Sequence, residues 1–76
     1  MKSYDKHFFT EVGKRIKERR KAEKITREKF AVMIGVSGKF IYEIETGGRG
    51  MSVLILHRIS KTLDVSVDWL LNGKRE

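Results

Sequence analysis

Apolar residues recur along this chain at helical spacing in five blocks, each opened by a small polar residue and closed by a glycine or a polar turn. In the first block Phe9, Val12, Ile16 and Arg20 share one face at i, i+3, i+7 and i+11, with Phe8 on a neighbouring face. Asp5 stands where a cap belongs, residues 1–6 read as a frayed lead-in, and the helix is expected to end near Ala22 to Lys24. Gly13 interrupts this helix at a cost of about 1 kcal/mol relative to alanine, which points to a close helix crossing. Thr26 then caps a second helix carrying Phe30, Ala31 and Ile34, with Ile25 placed as a hydrophobic staple. Ser37 caps a third, carrying Phe40, Ile41 and Ile44. Three glycines in the four residues after Thr46 form a loop. Ser52 caps a fourth helix with Val53, Leu56, Ile59, Ser60 and Leu63 as its inward stripe. Asp64 and Val65 turn the chain, and Ser66 caps a short fifth helix, VDWLL, closed by Asn72 and Gly73. Trp69 and Leu70 are expected to cover one end of the core. The pattern predicts an all-α, compact five-helix bundle.

The stretch from Thr26 to Glu45, TREKFAVMIGVSGKFIYEIE, organises the rest. Two short helices are separated there by a glycine-containing turn, the arrangement of a helix-turn-helix. Gly35 supplies the positive φ that a helix stop requires. Ala31 is small where the helices cross, and Val36 can plug the crossing. On these residues alone an ordinary αα-hairpin inside a small helical bundle is the lesser alternative, and the flanking sequence moves the balance.

With 76 residues the chain makes one domain, 1–76, with an ordered core of about 7–73. So short a chain buries only about 60% of its unfolded surface and has no room for a substrate cleft with supporting residues behind it. No apolar run approaches a membrane span, and Asp5 and Glu11 do not suit a signal peptide. There is no cysteine, hence no disulfide framework or thiolate metal site, which fits the cytoplasm. His7 and His57 lie in different helices, with no nucleophile elbow beside either, and Gly47–Gly50 lacks the GK[ST] ending of a phosphate loop. The expectation is a non-enzyme with no cofactor, no metal and no small-molecule ligand.

Charge adds a partner. The net charge is +7 and the pI about 10, with Lys14, Arg15, Lys17, Arg19, Arg20, Lys21, Lys24, Arg27 and Lys29 close together. Such a surface concentrates polyanions, although a charge run on a helix also serves simply as a solvated face. A basic first helix on an anionic membrane is a weaker reading, because its apolar face is needed for the core.

The stretches VGKRIKERRKAEKITREKFA, IGVS, IYEIETG and LHRISKTLDVSVDWLLNG resemble the Cro/repressor-type (XRE-like) helix-turn-helix family, which includes the lambdoid phage repressors. The resemblance runs from Val12 to Gly73, and VSVDWLLNG is its most specific part. It implies a compact all-α domain that lays its third helix, here Ser37 to Thr46, in the major groove of double-stranded DNA, generally as a homodimer on inverted repeats. It also implies a partly buried ion pair between Arg20 and Glu45. This chain departs from the family pattern in having Arg27 where glutamine is usual, Gly38 and Lys39 where glutamine, serine or threonine is common, and Met51 where proline often precedes the fourth helix.

On that frame Ser37, Gly38, Lys39, Tyr42 and Glu43 are the base-reading candidates, because the first turn of an inserted helix lies nearest the base edges. Lys39 can donate to guanine, and Glu43 can accept from cytosine or pair with Lys39 at i, i+4. Tyr42 can reach a phosphate. Thr26, Arg27, Gly47, Gly48, Arg49 and Ser52 are the phosphate candidates, at helix N-termini and in the glycine loop. Lys14, Arg15 and Lys17 contribute long-range attraction. Leu54 and Ile55 are apolar beyond the core stripe and are candidate dimer contacts. The expected function is a sequence-specific transcriptional regulator, in particular a repressor. The alternative is a protein-interaction module or antitoxin component with weakened base reading, which Gly38 favours.

Overall fold

The computed structural model describes residues 3–74, with side chains from residue 5. Five helices follow in order: α1 (Ser3–Ala22), α2 (Arg27–Ile34), α3 (Gly38–Glu45), α4 (Val53–Leu63) and α5 (Val67–Asn72). Four of them start in the same way. Thr26, Ser37, Ser52 and Ser66 sit in extended backbone, and each side-chain oxygen accepts from the amide three residues on, at 3.1, 3.0, 3.2 and 2.9 Å. Each cap contributes about 1 kcal/mol, a large share for helices this short. α2 and α5 end on glycines with φ of 87° and 71°, while Asp64 ends α4 at φ 54°. The Gly35 amide donates to the Ala31 carbonyl at 2.8 Å, closing α2 before Val36 drops against the core.

Two expectations for α1 and one for α4 are corrected. Asp5 lies inside the first turn of α1, where its charge suits the helix dipole, and it is not the cap. Residues 3–6 are helical; residues 1–2 of the expected frayed lead-in lie outside the described residues. On α4, Val53 is 84% exposed and leaves the inward stripe, whereas Ile55 is half-buried and packs against the core. The stripe therefore starts one turn later than its periodicity implies, because Ser52 caps the helix at the rim of the bundle.

The core joins Val12 and Ile16 of α1, Phe30 and Ile34 of α2, Ile41 and Ile44 of α3, Ile59 and Leu63 of α4, and Leu70 of α5, all almost fully buried. Ser60, also buried, donates to the Val65 carbonyl at 2.5 Å and ties the α4–α5 turn. Trp69 is half-buried over the same end. Gly13 does what its cost implied. A methyl group there would meet the Ile44 carbonyl oxygen and lie 2.7 Å from that of Glu45, so α1 and the end of α3 touch backbone to backbone. This contact fixes the angle at which α3 leaves the body of the protein.

Candidate nucleic-acid interface

Arg20 reaches from α1 to Glu45 at the end of α3. Its Nε donates to Oε2 at 2.6 Å and its Nη2 to Oε1 at 3.1 Å, while Nη1 donates to the Ile25 carbonyl at 2.8 Å. Both residues are buried, at 6% and 4% exposure. Such a planar two-point contact fixes orientation more than it adds stability, because desolvation offsets much of the attraction. Glu45 has a second cation: Arg27 Nε lies 3.6 Å from Oε1. That is an electrostatic contact but too long for a hydrogen bond, and the buried Nε has no hydrogen-bond partner among the described residues. The Arg27 guanidinium also lies 5.1 Å from the centre of the Tyr42 ring. Two arginines on one carboxylate leave a surplus positive charge where α2 begins, and Arg27 remains a third exposed to carry it outward.

On the other side of α3, Arg49 folds back from the loop. Its guanidinium lies 4.2 Å from the centre of the Phe40 ring, and its Nη1 lies 3.6 Å from Glu43 Oε1. The Glu43 carboxylate is thus paired with Arg49 and not with Lys39, correcting the expected intrahelical pair. Lys39 is exposed and makes no ion pair or hydrogen bond among the described residues. Ser37, at the tip of α3, is exposed with its oxygen used by the cap, and Tyr42 is 52% exposed. Gly38 borders open space: a methyl group there meets nothing within 4 Å.

The glycine loop departs from the expected phosphate cradle. Gly47 is buried, at φ 79°, with its Cα so close to α1 that a methyl group would lie 2.7 Å from Thr10 Cα. The Gly47 and Gly48 amides donate to Ile44 and Glu43 carbonyls at 3.2 and 2.8 Å, and so are spent on the end of α3. Gly47 lets the loop dock on α1, while Gly48 is exposed. Thr26 and Ser52 are exposed helix caps, and Arg49 is the loop's exposed cation.

The arginines of α1 also do more than attract. Arg15 Nη1 donates to the Leu70 and Leu71 carbonyls at 3.1 and 3.3 Å, and Arg19 Nε to the Leu63 carbonyl at 3.2 Å. They close the C-terminal ends of α5 and α4, where carbonyls lack partners and the helix dipole favours a cation. Arg58 does the same for Ile34 at the end of α2, at 3.2 Å. Sequence reasoning gave Arg15 only a long-range role. The signal available was chemical: arginine, unlike lysine, presents a rigid fork of donors. Lys14, Lys17, Lys21, Lys24, Lys29 and Lys39 are all exposed, so the solvent-facing positive field rests chiefly on lysines.

This arrangement of a short exposed helix held across a small all-α body, with a cation on each side, is the build of a helix-turn-helix domain. The Helix-turn-helix family profile matches residues 16–70, and the chain belongs to that family, of the XRE type. It is 38% identical over 58 residues to a protein of Bacillus subtilis (strain 168) described as an uncharacterized HTH-type transcriptional regulator, YazB, spanning 76% of this chain and 84% of that one. Its fold is similar to that of the P22 c2 repressor in a crystal structure with synthetic operator 9T, with a TM-score of 0.80 and 36% identity over 83% of this chain and 96% of the repressor chain. The restriction-modification controller protein C.AhdI from Aeromonas hydrophila shares the fold, with a TM-score of 0.76 at 24% identity over 82% of this chain and 94% of that chain.

Proposed function

We propose that this helix-turn-helix protein is a DNA-binding transcriptional regulator that acts as a repressor, with α3 seated in the major groove of double-stranded DNA. The observation that carries the reading is the flanking of α3 by Arg27 on one side and Arg49 on the other, with Ser37, Lys39 and Tyr42 exposed between them. Two cations spaced across a helix suit two phosphate strands bordering one groove. The P22 c2 repressor, similar in fold, is seen in complex with synthetic operator 9T. Lys39 is the foremost base reader, with Tyr42 and Glu43 in the next turn; Thr26, Ser52, Arg27 and Arg49 hold phosphates. Gly38 reads no base by side chain but lets the DNA approach closely. The protein works in the cytoplasm as a homodimer, joined through Leu54 and its exposed neighbour Val53. No catalytic step is part of this role. Selection of bound duplexes from a random pool tests it: an enriched inverted repeat is expected, and recovery of an unenriched pool would refute sequence-specific binding.

A further inference from the structure

α2 carries a second surface, away from its cap. At its C-terminal end Val32 is 80% exposed and Met33 49% exposed, side by side. Valine is a poor helix former, and an exposed polar residue would be cheaper at either position. Across from them α4 presents His57, Arg58, Lys61 and Thr62, and the two helices border an open groove of about 510 Å³. Among the described residues no carboxylate lines this groove. Arg58 is anchored there by its bond to the Ile34 carbonyl, which spends one of its five N–H donors. Gly35, at φ 87°, turns the chain beside Arg58.

We propose that this groove docks an acidic amphipathic segment of another protein. The segment's apolar side chains cover Val32 and Met33, and its carboxylates face Lys61 and Arg58. An apolar floor with a rim of one charge selects both properties together. A nucleic acid would gain from the rim but nothing from the floor, which offers no aromatic ring for a base to stack on. A second copy of this chain placed symmetrically would bring Arg58 and Lys61 against their own like charges. The groove is small, so the contact is of the weak, transient class. It does not involve α3, so a partner can be held while α3 lies on DNA. The inference does not depend on the DNA-binding reading.

The test is a titration of the full ¹⁵N-labelled chain, followed by amide shifts, with a synthetic helical peptide bearing leucines on one side and glutamates on the other. Two control peptides replace the glutamates by lysine or the leucines by serine. The expected shifts cluster at Val32, Met33, Arg58 and Lys61 with the first peptide alone. Val32→Ser with Met33→Ser, and separately Lys61→Glu, should weaken that binding by about tenfold or more. All three side chains are exposed, and unchanged circular dichroism checks the fold. Adding a random-sequence duplex should leave the peptide shifts in place. Absence of shifts, shifts that persist with the serine peptide, or shifts centred on Arg27 and Lys39 would each overturn the proposal. Sedimentation showing that Val32 and Met33 instead join two copies of the chain would overturn it too. None of these outcomes bears on whether the protein selects a DNA sequence, which the random-pool experiment reads separately.

Discussion

Arg49 stands between Phe40 and Glu43: its guanidinium lies 4.2 Å from the centre of the ring and 3.6 Å from the carboxylate. Glu43 would otherwise present a bare negative charge on the face proposed to meet DNA. The protein supplies the neutralising cation itself, and in doing so ties down a side chain proposed to hold a phosphate. Glu43→Gln should therefore tighten binding to random duplex DNA. It should also steepen the log–log dependence of affinity on salt by about 0.9, as Arg49 becomes available to one more phosphate. Arg49→Ala should shift both quantities the opposite way. Titrations at several salt concentrations decide, and a slope unmoved by either change would remove Arg49 from the phosphate contacts.

The buried pair makes a prediction about folding. Arg20→Met leaves the Glu45 carboxylate with only the longer contact to Arg27, and Glu45→Leu leaves two guanidiniums without an anion. Each single change should cost about 3–5 kcal/mol, because it strands buried charge, whereas the double change should recover most of that loss. Urea unfolding of the four proteins reads this directly. A double variant that loses as much as either single change would show that the pair stabilises the fold outright, and losses that simply add would show that the two side chains act independently.

How much of this was legible in the sequence depends on the kind of interaction. Caps are local, so Thr26, Ser37, Ser52 and Ser66 could be read from one residue and its successors. The buried stripe of α1 was equally plain, since periodicity needs only a few turns of one helix. The edge of α4 was not: Val53 and Ile55 exchange places between core and solvent according to where the bundle ends, which no single helix encodes. Arg15, Arg19 and Arg58 escaped for the same reason, because each caps a helix distant in sequence. Gly47 was misread because glycine marks a close approach without saying what approaches; here it is Thr10.

Two glycines should respond in opposite directions to the same substitution. Gly13→Ala puts a methyl group against the Ile44 and Glu45 carbonyls and should destabilise by about 1–3 kcal/mol, or more if α3 has to shift. Gly38→Ala meets open space in the first turn of α3 and should stabilise by up to about 1 kcal/mol. Thermal melts of the two variants suffice; loss of stability in both would mean that Gly38 is held in a conformation alanine resists.

The proposed dimer rests on exposed apolar surface at the start of α4. Val53→Ser with Leu54→Glu should leave the melting curve intact and shift sedimentation toward the monomer, since neither side chain is in the core. An unchanged sedimentation coefficient would place the dimer contact elsewhere on the molecule.

Lys39 is the sharpest point at which base reading can be tested. It lies in the first turn of α3, its neighbour Gly38 has no side chain to read with, and among the described residues its ammonium is paired with no carboxylate. The pairing with Glu43 that would have explained it structurally is taken by Arg49. If Lys39 donates to a guanine, Lys39→Ala should lose about 1–3 kcal/mol on the preferred duplex and much less on variants altered at that one base pair. A phosphate contact would instead weaken every duplex alike, because phosphates carry no sequence information. Binding of wild type and Lys39→Ala to a panel of single-base variants of the selected duplex separates the two. A preference profile identical to wild type at every position would leave Tyr42 and Glu43, one turn deeper, as the readers of this helix.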